Sequence, residues 1–146
     1  YHFGGDVYQR VELSENGLDC RIVPASDPVG EGTYNAAEFT PALIKDGEKI
    51  EDSFWTGEQP RACFGTGDQG VYMLIIEGRY PDEGIRGTSV NTCSDILLAY
   101  GCRNALNMDG GSSAILWYDG EYVTQSSSSP LRYTGGRPLP NAWVYG

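Results

Sequence analysis

Between Asn104 and Leu116 an apolar run ends at Asn107 and Asp109, two glycines and two serines follow, and a second apolar run begins at Ala114. Glycine permits backbone conformations that other residues avoid and puts no side chain in the way of a ligand. The pattern predicts a tight turn between two strands that presents a carboxylate, an amide and two hydroxyls together. Such a set suits a polar, oxygen-rich ligand, a sugar or a phosphate. A plain polar turn without chemistry fits the same residues.

The 146 residues predict one domain, 1–146, large enough to bury a core. A formal charge of −10 argues against nucleic acid, whose phosphates need a basic face. A small anion is still compatible, because a few converging arginines override net charge locally. No apolar run is long enough to span a membrane. The four cysteines, Cys20, Cys63, Cys93 and Cys102, match no zinc spacing, and the only histidine is His2. Two disulfides or buried thiols both fit them.

Along the chain, Val7 to Leu13 alternates weakly, Glu15-Asn16-Gly17 reads as a turn, and Asp19 to Val23 reads as a strand stopped by Pro24. Ala25 to Gly32 has loop residues. Ala42 to Ile50 reads as a hairpin turning at Asp46-Gly47. Pro60 to Phe64 leads through a glycine-rich bend to Val71–Ile76, an apolar run that predicts a central strand buried on both faces. The bend, Gly65-Thr66-Gly67-Asp68-Gln69-Gly70, has dinucleotide-loop spacing. A strand follows it where that motif needs a helix, so it reads as a hairpin.

One helix is predicted, with Cys93, Ile96, Leu97 and Tyr100 on one face, Thr88 or Thr92 as its cap and Gly101 just past its end. Strands are expected at 104–107, at Ala114 to Tyr118 turning at Asp119-Gly120 into Glu121 to Val123, and at Ala142 to Tyr145. Gln125 to Gly136, with its four serines, reads as a surface loop. The sum is an α+β chain: a mixed, strand-rich sheet with hairpins and one main helix in the C-terminal half, without internal repeats.

Polar groups stand at predicted strand ends: Arg61, then Glu77-Gly78-Arg79, then Asn107 with Asp109, then Arg137 with Asn141. If the strands are neighbours, these ends share one rim, the usual way a scaffold assembles a site. Arginine forks match phosphate oxygens. Asp109 and Glu77 supply the paired carboxyls that sugar anomeric chemistry commonly uses. Asn107, Asn141 and the Gly110 and Gly111 amides suit hydroxyls or developing negative charge, with Ser112 and Ser113 as further donors. Each also has a plainer reading: an Arg61–Glu77 ion pair, a turn cap at Asp109, a solvated Arg137. A Ser-His-Asp triad has no usable histidine and no nucleophile elbow. No ordered run of acidic ligands supports calcium at Asp109, so neither metal nor cofactor is assigned.

Pro60-Arg61-Ala62, Glu77-Gly78-Arg79, Tyr100-Gly101-Cys102, Asn107 to Ser113 and Arg137 to Ala142 occur in that order, and Phe39 to Gly47 precedes them. The set resembles the phosphodiester glycosidase family over roughly residues 38–146. The resemblance implies hydrolysis of a sugar-1-phosphodiester, of the N-acetylglucosamine-1-phosphodiester kind, to free sugar and phosphomonoester. It implies a glycan or small-molecule substrate and an extracellular or cell-envelope setting. Its site would hold Arg61, Glu77, Asp109 and Arg137 as catalytic groups, with Arg79, Asn107, Gly110, Gly111, Ser112, Ser113 and Asn141 binding substrate. The chain departs from the family at Glu77, where Asp is usual, and in having two glycines before its serines rather than three. Residues 1–37 do not clearly supply the family's opening strand, which gives the expectation of a domain lacking its N-terminal segment. The other reading kept open is a non-catalytic glycan- or sugar-phosphate-binding module.

Overall fold

A computed structural model describes residues 8–128, 136–139 and 141–145. His2 and the middle of the serine-containing loop, 129–135, lie outside the described residues. The larger sheet has the order β5-β4-β8-β6-β7, from β4 (Ala42–Lys45), β5 (Glu48–Lys49), β6 (Arg61–Gly67), β7 (Gly70–Ile76) and β8 (Cys102–Asn107). Every neighbouring pair in it is antiparallel. A smaller sheet, β2-β1-β3, is built from β1 (Gln9–Leu13), β2 (Cys20–Pro24) and β3 (Asn35–Phe39). The helix α1 (Val90–Ala99) covers the other face of the larger sheet.

Two apolar clusters follow from the two-residue period of the strands. Cys63 and Ala105 face the helix with Val90, Cys93 and Leu97, whereas their neighbours Phe64 and Leu106 face Val11, Leu13 and Ile22 of the smaller sheet. Leu43 and Ile44 both join the helix side, and a register shift between Ala42 and Ile44 accounts for that break in alternation. All four cysteines are free thiols, and burial pushes Cys20 and Cys102 up to about 11.

Hairpin chemistry is where sequence and structure agree best. Asp46 and Gly47, like Asp119 and Gly120, sit at positive φ in two-residue turns between paired strands. The glycine-rich bend is a hairpin too: β6 continues through Gly67, and only Asp68 and Gln69 turn.

Five expectations change. Val71–Ile76 is not a central strand; β7 lies at the sheet edge and is half-buried. Its side chains do alternate onto both clusters, Tyr72, Leu74 and Ile76 to one and Val71 and Met73 to the other. The helix cap is Ser89, whose hydroxyl accepts from the Thr92 amide at 3.2 Å, while Thr88 exchanges backbone bonds with Gln59. Its buried face is Val90, Cys93, Ser94 and Leu97, and Tyr100 is exposed. A short 3-10 turn over Gly111–Ser113 uses the chain up to Ala114, so the strand that follows shrinks to β9 (Trp117–Tyr118) against β10 (Glu121–Tyr122). Residues 142–145 form no strand; Trp143 stacks on Phe64 with ring centroids 4.0 Å apart.

Candidate active site

Topology brings the polar strand ends to one rim. Arg61 opens β6 and pairs with Ile76 at the end of β7, while Asn107 closes β8 opposite Cys63. Residues after β7 and β8 therefore emerge beside the start of β6. A hollow of about 290 Å³ lies there. Arg61, Arg79 and Arg137 line it, together with Asn107, Asp109 and the Gly110-Gly111-Ser112 turn. Phe39, Trp55, Pro60 and Met108 add apolar wall.

The arginines are held differently. Arg61 is buried, 4% exposed, and its Nε donates to Thr88 O at 2.9 Å and its Nη2 to Gly57 O at 2.8 Å. Its Nη1 makes no bond among the described residues. Burial lowers its pKa from the ordinary value, yet a guanidinium stays charged at any physiological pH. No carboxylate pairs with it among the described residues, so the plainer reading of an Arg61–Glu77 ion pair does not hold. Arg79 is exposed at φ 68°, with its Nε donating to Gln59 Oε1 at 2.9 Å. Arg137 donates from Nη2 to Asp109 Oδ2 at 2.9 Å and from Nε to Ser113 Oγ at 3.1 Å. Its fork thus ties the carboxylate to the 3-10 turn.

The glycines serve packing as well as access. A Cβ on Gly110 would meet Pro60 O at 2.6 Å, and one on Gly111 would meet the Arg79 guanidinium at 3.0 Å. The Gly111 amide is already spent on Pro60 O at 2.9 Å, which removes it as a donor to a ligand. Asn107 is 1% exposed; its Nδ2 donates to Thr40 O at 2.7 Å, and its buried Oδ1 has no partner among the described residues.

Three expected site residues stand apart from the hollow. Glu77 Oε1 accepts from the Gln125 amide, so the carboxylate braces the segment after β10 instead of facing the ligand space. Ser113 reaches the site only through Arg137. Asn141 is exposed and does not line the hollow. Sequence reasoning missed Phe39, Trp55, Gln59 and Met108. Only Trp55 carried a local signal, an Asp52 three residues earlier whose carboxylate accepts from the Trp55 amide. Among the described residues no cluster of three or more metal-ligating side chains occurs, and no helix is long and apolar enough to cross a membrane.

Residues 4–145 match the family model described as phosphodiester glycosidase. That match takes in the smaller sheet, which the motifs alone left out. In structure the chain is similar to the zebrafish N-acetylglucosamine-1-phosphodiester alpha-N-acetylglucosaminidase catalytic domain, auto-inhibited by its pro-peptide, with a TM-score of 0.65 and 15% identity. The alignment covers 95% of this chain and 52% of that one, so the chain spans about half the neighbour's length. A hypothetical protein from Synechocystis aligns with a TM-score of 0.51 at 19% identity, over 84% of this chain and 32% of the other. No curated protein sequence matches. At these identities the neighbours speak for the fold; the family match, over nearly the whole chain, shows that it belongs to the phosphodiester glycosidase family.

Proposed function

We propose that the chain cleaves a sugar-1-phosphodiester, releasing the sugar and leaving a phosphomonoester. The observation that carries this reading is three arginines and one carboxylate around a single hollow in a chain of net charge −10. The Nη1 of Arg61 and the terminal nitrogens of Arg79 bind the phosphodiester oxygens, and Arg137, whose Nε and Nη2 hold Ser113 and Asp109, adds its positive charge. Asp109, aimed by Arg137, takes the proton of the water that attacks the anomeric carbon. The C1–O bond breaks and its electron pair leaves with the phosphate. A phosphate is a far better leaving group than an alkoxide, so no second carboxyl is needed to protonate it. That relieves Glu77 of the shared acid/base role and makes it a positioning residue for residues 123–128. Asn107 and the Ser112 hydroxyl serve the sugar. The setting belongs to the same proposal: extracellular or envelope glycan metabolism.

A second reading, a sugar-phosphate-binding module without turnover, draws on the diversion of Glu77 to the Gln125 amide. Incubation with UDP-N-acetylglucosamine separates the two. Release of free sugar, reduced about 10²–10⁴-fold in Asp109→Asn, is the expected result. Saturable binding with no sugar released supports the module, and undiminished release by Asp109→Asn removes Asp109 from the mechanism.

A further inference from the structure

Trp55 is held with more care than its surroundings explain. It lies in the irregular stretch between β5 and β6, which has no strand ladder of its own. The Asp52 carboxylate accepts from the Phe54 amide at 2.8 Å and also from the Trp55 amide. Asp52 is itself clamped both ways to the helix, its amide donating to Asn91 Oδ1 at 3.0 Å and its carbonyl accepting from Asn91 Nδ2 at 2.9 Å. The Trp55 carbonyl accepts from the Val90 amide at 3.1 Å. Core packing is not what this clamp achieves, because the adjacent Phe54 is 88% exposed and Trp55 itself 39%. The indole instead lines the hollow, with the Arg61 guanidinium 5.9 Å from its ring centroid.

A tryptophan whose backbone is clamped at the wall of a basic hollow offers what the arginines lack, an aromatic face. The C–H groups on one side of a pyranose present a matching apolar surface, and aromatic faces attract such partially positive edges. We propose that Trp55 is the platform for the sugar ring and determines that the hollow selects a glycosyl phosphate over phosphate alone. The proposal rests on the sugar-phosphodiester reading and deepens it. The adjacent Arg61 then meets the phosphate while the ring meets the sugar, and the Gly57 carbonyl of the same loop holds the guanidinium at the start of β6, so both halves of the ligand are set in register. A hollow of about 290 Å³ stands at the small end of ligand sites, suited to one ring and its phosphate.

The test is calorimetric titration of the wild type, Trp55→Leu and Trp55→Phe with N-acetylglucosamine-1-phosphate, inorganic phosphate and uridine monophosphate. Thermal melts accompany each variant. The expected result is about tenfold weaker binding of the sugar phosphate to Trp55→Leu, retention within about threefold in Trp55→Phe, and phosphate binding unchanged in both. Parallel loss of phosphate binding would mean that the indole acts only through Arg61, and overturns the proposal. Equal sugar-phosphate affinity in all three proteins overturns it as well, as does dependence on Trp55 for uridine monophosphate but not for the sugar phosphate. Trp55-dependent binding by a protein that releases no sugar from UDP-N-acetylglucosamine leaves the platform standing and defeats the catalytic reading alone. A wild type that binds no sugar phosphate defeats both.

Discussion

The hollow at the strand-end rim, about 290 Å³, is nearly matched in size by another of about 260 Å³ beside the smaller sheet. Size does not tell them apart; charge and saturation do. The second is walled by Glu12, Asp19 and Glu31 against Arg21. Its central carboxylate is fully engaged: Glu12 accepts from Arg10 Nε at 2.7 Å, Arg21 Nε at 2.7 Å and Thr33 Oγ1 at 3.0 Å. At the rim three arginines face one aspartate, and among the described residues Arg61 Nη1 has no acceptor and Asn107 Oδ1 no donor. A buried charge whose hydrogen-bonding capacity is filled within the fold holds structure. Charges gathered around open space with capacity left over are what the proposed phosphate site requires.

The sharpest attempt to break this contrast is Glu12→Ala. It takes from Arg10, 4% exposed, its short carboxylate partner and leaves Glu38 at 3.5 Å with the Ala25 and Asp27 carbonyls, so the loss should fall at or below the low end of the about 3–5 kcal/mol that breaking a buried pair costs. Denaturant unfolding should register that loss, while the folded fraction binds N-acetylglucosamine-1-phosphate as before. Weakened binding at unchanged stability would reverse the assignment of the two hollows.

Gly110→Ala tests whether the rim tolerates any added volume. The new methyl meets backbone, Pro60 O at 2.6 Å, so the turn must shift, at about 1–3 kcal/mol of overpacking. Both stability and sugar-phosphate binding should fall together.

Acid titration sharpens the structural half. Burial would raise the Glu12 carboxyl, but hydrogen bonds from Arg10, Arg21, Thr33 and the Gly30 amide outweigh it and hold the pKa at about 2, against 4.5 ordinarily. Because the folded value is the lower one, its contribution is present above pH 4.5 and disappears as pH falls toward 2. Glu12→Gln should flatten that limb of a pH-stability curve.

Arg137→Ala is expected to have the smallest effect on stability. Its pair with Asp109 is half exposed on both sides, so the change should lie within about 1 kcal/mol. Phosphate binding should nevertheless weaken measurably, and a large stability loss with intact binding would make Arg137 structural.

The sequence was most legible where chemistry is local. Asp46-Gly47 and Asp119-Gly120 demand left-handed turns, and the spacing around Cys93 and Leu97 demands a helix. β3 went unseen because Asn35–Phe39 turns only Ala37 and Phe39 inward and stays largely exposed, its pairing supplied by β1. The edge position of β7 was hidden for a related reason: an apolar run reports burial on two faces but not which strands stand beside it. In the site, Arg61 and Asp109 were readable as strand-end charges, whereas Arg137, expected beside a final strand that does not form, reaches the rim through Asp109 and Ser113. The turning of Glu77 toward Gln125 was not, since a carboxylate at a strand end can face either way.

Residue order by itself determined the turns, the helix, the alternation that makes two apolar clusters, and the placing of arginines and acids at strand ends. Those follow from dihedral preferences and side-chain periods, which act over a few residues. Only the tertiary structure decided that antiparallel pairing of β6 with β7 and β8 gathers those ends at one rim. It also decided which charges are saturated there and which stay available, and that Trp55 stands over Arg61. Those outcomes depend on contacts between segments far apart in the chain, and no short-range preference encodes them.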